Sequence, residues 1–404
     1  MWLARRRILL TTTLVAAFLP STAAAETRAR LDASLGATAA SNPYLLDRED
    51  AEAVGADLTL RPQVTLSEDD TIVTLNGQIT LETFFDDQEL NDTVQVGASV
   101  EHRANERTTV SANVGFRTSE SAARRFFGGT DLSELDPGEF PSDPILDPTL
   151  GIATGRATRL DAQFAVRRLV STNGVLDLTA GAGLTRVESA NGNDFRDTKL
   201  AGSYARTLDE RTALRVTIDG GYVDYLDRRA GDGYFLTALA GADYQFSESM
   251  YGSVQLGVSY SAIDTVGTGR RKLTDWSATF DLCDMLARGT LCVTASRSAQ
   301  PTSFAGITTV SAIGINYQRV IGADGNVSLA ANYSRSDTPS TSFLVLRGPR
   351  SEIANAAATY SHRLNHRLSA FVTPSFTGHG SEFAGWVENY QVVVGVTYHF
   401  GPQQ

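Results

Sequence analysis

The sequence predicts an all-β fold: a transmembrane antiparallel β-barrel of about 18 strands, with no plug domain. Three observations predict it. Polar and apolar residues alternate over long stretches, short turns separate these stretches at a nearly constant interval, and the chain begins with an export signal. A hairpin repeat of this length with a two-residue side-chain period is typical of barrels in the outer membrane of Gram-negative bacteria.

Eight short turns set the repeat. Successive turns lie 36 to 41 residues apart, except for one gap of 68 residues. They join sixteen strands, and Arg28–Ala39 and Tyr390–Phe400 supply one strand before and one after. An even number of strands places both termini on the periplasmic side, with longer loops outside. Representative turn residues are Asp69, Asn105, Asn173, Asp209, Glu248, Ala287, Asp324 and Asn365.

The stretch Val54–Leu66 illustrates the alternation, with apolar residues at even positions and mostly polar residues at odd ones. Strict alternation over this length predicts a strand with one apolar and one polar face. The stretch Glu352–His362 is weaker because it consists mostly of alanine. Pro62 and Pro374 lie inside predicted strands and lack a ladder donor, so each predicts a bulge or a position near a rim.

A soluble β-propeller is the main alternative fold, since its blades repeat at a similar interval. A blade needs four short strands and three turns, whereas this repeat has two strands of about a dozen residues, close to the 9–11 that cross a bilayer. The barrel is therefore favoured.

The first residues predict export to the cell envelope. Arg5–Arg7 form a positive segment, Ile8–Phe18 an apolar core, and Ala23–Ala25 a small-residue cleavage site. The core is too short for a membrane anchor, the alternative interpretation. We therefore expect a signal peptide at residues 1–25, a barrel at residues 26–404, and a location in the outer membrane.

Composition and motifs exclude several function classes. Removing residues 1–25 leaves 32 basic and 46 acidic residues, a formal charge of −14, which argues against nucleic acid as a partner. The five histidines have no zinc-ligand spacing, and neither a Ser/His/Asp order nor a phosphate-binding glycine loop stands out. We expect no enzyme activity, no cofactor and no metal.

Charged residues on the polar faces are candidates for a selectivity filter, as charged rings are in pores. The face assignment rests on cost, since an arginine facing lipid costs about 2–4 kcal/mol at the bilayer midplane. Pairing across strands to rigidify the wall is the alternative role. The candidate lumen charges are Arg61, Glu82, Glu101, Arg117, Asp161, Arg167, Arg215 and Asp219.

The double-length gap contains the longest loop, roughly Ser121–Gly155, in which acidic residues are interleaved with prolines. The loop could fold into the pore, bind Ca²⁺ through carboxylates, or remain a solvated surface loop. Its spacing matches no calcium-loop template. The acidic residues are Asp131, Glu134, Asp136, Glu139, Asp143 and Asp147.

Cys283 and Cys292 flank the turn at Ala287 and Arg288 and point to the same face if these two residues form the tip. A disulfide is expected in the oxidising periplasm. Two free thiols in the wall are the alternative.

Two segments resemble known outer-membrane patterns. Gly395–Phe400, a glycine followed by alternating aromatics that end in Phe, resembles the β-signal recognised by the barrel assembly machinery. Ser41–Leu46, between the first two strands, resembles the β-barrel porin 2 family, which includes barrels from exopolysaccharide operons. The second resemblance implies a barrel without a plug and a link to polysaccharide secretion, and implies no catalytic residues.

These observations predict a porin-like channel for hydrophilic solutes or exopolysaccharide. A non-conducting structural barrel, or an accessory barrel of polysaccharide secretion, is the alternative. The expected partners are outer-membrane lipid and lipopolysaccharide, the barrel assembly machinery during insertion, and polysaccharide.

Overall fold

The computed structural model describes residues 26–45, 52–85, 90–120, 155–188, 192–226, 231–265, 269–303, 306–337, 350–381 and 385–401. The predicted signal peptide lies outside these ranges, as do all six acidic residues of the long loop. No helix in the described ranges is long and apolar enough to cross a membrane.

Eighteen antiparallel strands form one sheet, in which each strand pairs with its neighbours in sequence. β18 pairs with β1 and closes the sheet into a barrel. The strands are β1 (Glu26–Ala40), β2 (Ala53–Glu68), β3 (Thr71–Phe84), β4 (Leu90–Asn105), β5 (Thr108–Ser119), β6 (Ala157–Ser171), β7 (Gly174–Val187), β8 (Phe195–Thr207), β9 (Thr212–Tyr225), β10 (Gly233–Gln245), β11 (Met250–Thr265), β12 (Gly269–Leu286), β13 (Gly289–Thr302), β14 (Gly306–Ile321), β15 (Gly325–Asp337), β16 (Arg350–Asn365), β17 (Leu368–Ser381) and β18 (Gly385–Phe400).

The predicted fold class and strand count are confirmed. All eight predicted turns separate consecutive strands, and the first and last strands extend a few residues beyond the predicted bounds. Glu26 pairs with Ser67, and Leu31 pairs with Phe400, so both ends of the barrel chain lie at the end that carries the short turns. We call this the turn end, and the opposite end of the barrel the loop end.

The two faces of the wall differ as the alternation predicts. Outward side chains are apolar and exposed: Leu200 is 69% and Leu256 is 62% exposed. Inward positions are mostly polar, because a side chain inside the lumen does not meet lipid. This arrangement satisfies the backbone within a closed sheet and presents an apolar surface to the bilayer.

The expected bulges at the two prolines are absent. Leu60 pairs with Ile79 and Gln63 with Asn76 in one register, so the β2–β3 ladder is interrupted at Pro62 without slipping. The β16–β17 ladder is interrupted in the same way beside Pro374. The missing N–H donor of each proline therefore interrupts the pairing on one side of its strand without shifting the register. Register shifts occur instead beside three of the short turns.

A disulfide joins Cys283 and Cys292, which are register partners on β12 and β13. Both side chains are buried on the inward face, and their Cα atoms lie 4.1 Å apart. The bond ties the two strands together near the turn end.

Candidate functional site

The lumen is packed at the loop end and open at the turn end. Inward residues near the loop end are almost fully buried, as Thr38, Thr80 and Ile353 show with exposures of 0–1%. Inward residues near the turn end, such as Glu101 and Asn113, are exposed. Solvent therefore enters the barrel from the turn end.

Ion pairs between neighbouring strands lie on the lumen wall in the turn half of the barrel. Arg215 forms a two-nitrogen contact with Asp243, with N···O distances of 2.7 and 3.1 Å. Arg167 lies 3.8 Å from Asp177. Pairing of this kind favours the wall-stiffening role for these charges, because a paired arginine presents less net charge to a passing solute.

The strand register places all the candidate charges on the inward face. Asp161 lies 3.8 Å from Arg159, and Glu82 accepts a 3.0 Å hydrogen bond from Gln391 across β1 and β2. A filtering role for these charges stays a prediction. The inward set is Arg61, Glu82, Glu101, Arg117, Asp161, Arg167, Arg215 and Asp219.

A cavity of about 720 Å³ opens at the turn end along β8 to β12. Its walls include the Arg215–Asp243 pair, Tyr251, Gln255 and Asp281. An aromatic ring beside charged and amide groups is suited to a hydrophilic molecule with one apolar face, such as a sugar.

β12 and β13 separate in the loop half of the barrel. They pair only between Leu286 and Ala278, whose partners are Gly289 and Arg297. From Ser277 to Gly269, β12 keeps its ladder with β11, and the described part of β13 offers it no partner. We call the separation point at Ala278 and Arg297 the fork.

Beyond the fork the β13–β14 hairpin lies inside the barrel. Ala299 and Ile307, which would face lipid in a regular wall, pack against Phe195, Val223 and Phe235 on the inward face of β8 to β10. We call residues 298–303 and 306–310 the inner hairpin. Its β14 arm is buried on both faces, with Ile307, Thr308, Thr309 and Val310 all at most 4% exposed.

Hydrogen bonds hold the tip of the inner hairpin against β9 and the segment just before β8. The Asn193 N–H donates to the Ser303 carbonyl at 2.7 Å, and the Tyr225 hydroxyl donates to the Thr302 carbonyl at 3.3 Å. The hairpin therefore narrows the lumen near the loop end.

An ion pair occupies the fork. Arg297, on the outer face of β13, lies 2.7 Å from Asp275 on the inner face of β12, because β13 passes inside β12. Its guanidinium also lies 4.8 Å from the Trp276 ring centroid, and the Thr309 hydroxyl donates to Asp275 at 3.1 Å. These contacts join the inner hairpin to the wall where the strand ladder ends.

The inner hairpin was not predicted from the sequence. Constriction was considered only for the long acidic loop, as one of three alternatives, and the acidic residues of that loop lie outside the described residues. A signal was available, since the alternation fails from Ala299 to Val310. Ile307 and Val310 place apolar side chains on opposite faces of the strand. Thr308 and Thr309 do the same with polar ones, so neither face is marked as lipid-facing or lumen-facing. A strand with both faces buried in this way lies inside a structure instead of at a lipid boundary.

Charged groups at the strand ends and in the turns are also paired. The Arg211 N–H donates to the Asp209 carboxylate in the β8–β9 turn at 2.8 Å and lowers the pKa of that carboxyl. Just before β6, the hydrogen bond from Arg156 to Asp92 raises the pKa of the guanidinium. Arg156 also lies 2.9 Å from Glu120, so an arginine links three segments at the loop end.

No protein-family model matches the chain, and no curated protein matches it. Among solved structures it is similar to the outer-membrane protein OpdK of Pseudomonas aeruginosa, with 13% identity over 93% of this chain and 99% of that one, at a TM-score of 0.45. It is also similar to OpdL of the same organism, with 10% identity, coverages of 94% and 99%, and a TM-score of 0.44. The siderophore receptor PirA of Pseudomonas aeruginosa gives 10% identity, coverages of 94% and 81%, and a TM-score of 0.44.

Proposed function

We propose that this chain is an outer-membrane channel for hydrophilic solutes, open at its turn end and closed at its loop end by the inner hairpin. The single observation that carries the proposal is a polar, charged lumen whose side chains are exposed in the turn half and whose loop half is narrowed by the inner hairpin. A barrel of 18 strands is wide enough for an aqueous path.

The inner hairpin is suited to act as a gate because the ladder between β12 and β13 ends at the fork, so in the described residues its β13 arm has no strand partner in the wall. Its apolar contacts include the cluster around Ile307. Its polar contacts include those of Ser303, Thr302, Arg297 and Thr309 described above, and the Thr308 hydroxyl lies 2.8 Å from that of Ser336 on β15. Movement outward would give the free edge of β12 a ladder partner, which offsets part of the lost packing. Closed and open arrangements can then differ by only a few kcal/mol.

Passage of exopolysaccharide is the finer form of the proposal. The resemblance of Ser41–Leu46 to the β-barrel porin 2 family supports it, together with the turn-end cavity, whose walls mix an aromatic ring with paired charges. In this arrangement the turn end faces the periplasm, and polymer enters there.

Conductance in planar bilayers tests the gate. Ile307→Asp places a charge in a buried apolar cluster, which costs several kcal/mol unless the hairpin leaves the lumen. We expect this variant to conduct more, and for a larger fraction of the time, than the wild type. Ile307→Val keeps the apolar contact and is the matched control, with wild-type current.

A second candidate function is a non-conducting structural barrel, which the packed loop half of the lumen favours. A folded Ile307→Asp variant that conducts no better than the wild type would refute the gate. No current from either protein would refute the channel and support the structural barrel.

A further inference from the structure

Three side chains on β17, β18 and β1 form a hydrogen-bonded chain in the turn half of the lumen. Nε2 of His399 lies 3.1 Å from the Ser369 hydroxyl oxygen, and Nδ1 of His399 lies 2.6 Å from a carboxylate oxygen of Asp32. The Asp32 side chain is 3% exposed and that of His399 is 14% exposed. The order of contacts is hydroxyl, imidazole, buried carboxylate.

The barrel register produces this order. His399 pairs directly with Asp32 across β18 and β1, and Ser369 pairs with Thr397, one inward position along β18. All three side chains therefore share the inward face. Residues separated by more than 300 positions in the chain become neighbours only because the first and last strands meet.

The surroundings fix the orientation of the imidazole. Arg30 lies 2.8 Å from the second carboxylate oxygen of Asp32, and Arg61 is the register partner of Asp32 on β2. With Arg30 on one oxygen of Asp32, the other oxygen accepts the Nδ1–H of His399. Nε2 is then left to accept a proton from Ser369.

We propose that Ser369, His399 and Asp32 form a nucleophile, base and orienting carboxylate that hydrolyse short acyl esters of hydrophilic molecules in the lumen. Acetylated sugars are substrates of this class. The site opens to the solvent-filled half of the lumen, so movement of the inner hairpin is not needed. The proposal is independent of the channel function.

The reaction follows from the geometry. The Ser369 oxygen attacks the ester carbonyl while its proton passes to Nε2 of His399. The carbon–oxygen bond to the alcohol then breaks, and the alcohol leaves with that proton. Water, deprotonated by His399, attacks the acyl-serine, which releases the carboxylic acid and restores the serine.

Arg363 is the residue that we assign to the negative oxygen of the intermediate, on its register position; its guanidinium now donates to the Ala323 carbonyl at 3.3 Å. It is the register partner of Ser369 on β16 and shares its inward face. Its side chain is half exposed and lies 3.7 Å from Asp324 at the turn end. A guanidinium in this position can turn towards a developing oxyanion without leaving the strand.

The test uses the full barrel folded in detergent, with p-nitrophenyl acetate as the ester and a fluorophosphonate as the serine-labelling reagent. Ser369→Ala and His399→Gln are compared with Ser375→Ala, an inward serine on the same strand that bonds only to the Gln391 carbonyl among the described contacts. Heat-dependent gel mobility identifies the folded protein of each variant.

We expect hydrolysis by the wild type and Ser375→Ala, a loss on the order of 10²–10⁴-fold in Ser369→Ala and His399→Gln, and fluorophosphonate on Ser369. Folded wild type that neither hydrolyses nor labels would overturn the proposal, as would full activity in Ser369→Ala. Conductance of Ser369→Ala, measured in parallel, reports on the channel alone.

Discussion

At the scale of single residues, neighbouring positions in this chain meet different solvents. Leu200 is 69% exposed on the outward face of β8, while Ala201 beside it faces the lumen opposite Asp219 of β9. The side chain at each position is therefore selected by the medium on its own side of a wall one strand thick. The effect of an introduced charge on stability can therefore be predicted from whether its position lies on the lipid-facing or the lumen-facing side of the strand.

Leu200→Arg is expected to destabilise the barrel by about 2–4 kcal/mol, the cost of an arginine near the bilayer midplane. Ala201→Arg introduces the same side chain one residue later, where it meets water and the Asp219 carboxylate. Urea unfolding in lipid vesicles measures the difference. Equal losses of stability in the two variants would contradict the assignment of faces.

The predictability of single residues differs between the wall and the candidate sites. The alternation of apolar and polar residues in Val54–Leu66 predicts the β2 strand, because the polarity of each side chain matches the lipid or the lumen that it faces. The Ser369–His399–Asp32 contacts were not predicted, because they depend on which strands become neighbours when the sheet closes. Strand adjacency of this kind leaves no local pattern in the sequence. The order of the three residues along the chain therefore does not indicate a triad.

At the scale of secondary-structure elements, β12 and β13 are held together at one end and separated at the other. The Cys283–Cys292 bond and nine register pairs tie them near the turn end, and the Arg297 contacts join them at the fork. The inner hairpin was not predicted, because alternation describes strands in a lipid-facing wall and this segment has packing on both sides.

Reduction of the disulfide is expected to lower the free energy of unfolding by about 2–3 kcal/mol, since the bond closes a short loop in the unfolded chain. Urea unfolding with and without dithiothreitol measures this loss. The Cys283→Ser/Cys292→Ser variant is the control, and reductant should leave its unfolding midpoint unchanged. A midpoint that moves with reductant in the control as well would assign the effect to something other than this bond.

At the scale of the whole molecule, the barrel has two different ends. Eight short turns lie at the turn end together with Glu26 and Phe400, while the inner hairpin lies at the loop end. We expect the turn end to face the periplasm, because outer-membrane barrels carry short turns on that side. The solvent-filled half of the lumen is then continuous with the periplasm.

Epitope tags test this orientation. A tag added after Gln404 should resist protease added to intact cells, whereas a tag inserted directly after Asp337, at the loop end of β15, should be removed. Both tags should be removed once the outer membrane is permeabilised. The opposite pattern in intact cells would show that the barrel is inserted with its turn end outside.

The contact between β1 and β18 has a consequence for biogenesis. A barrel that has folded every hairpin but has not yet joined its first strand to its last contains Ser369 and His399 without Asp32 beside them. Fluorophosphonate labelling of Ser369 would therefore mark finished barrels and pass over intermediates still held by the assembly machinery. The extent of Ser369 labelling would then measure the fraction of barrels in which β1 and β18 have paired.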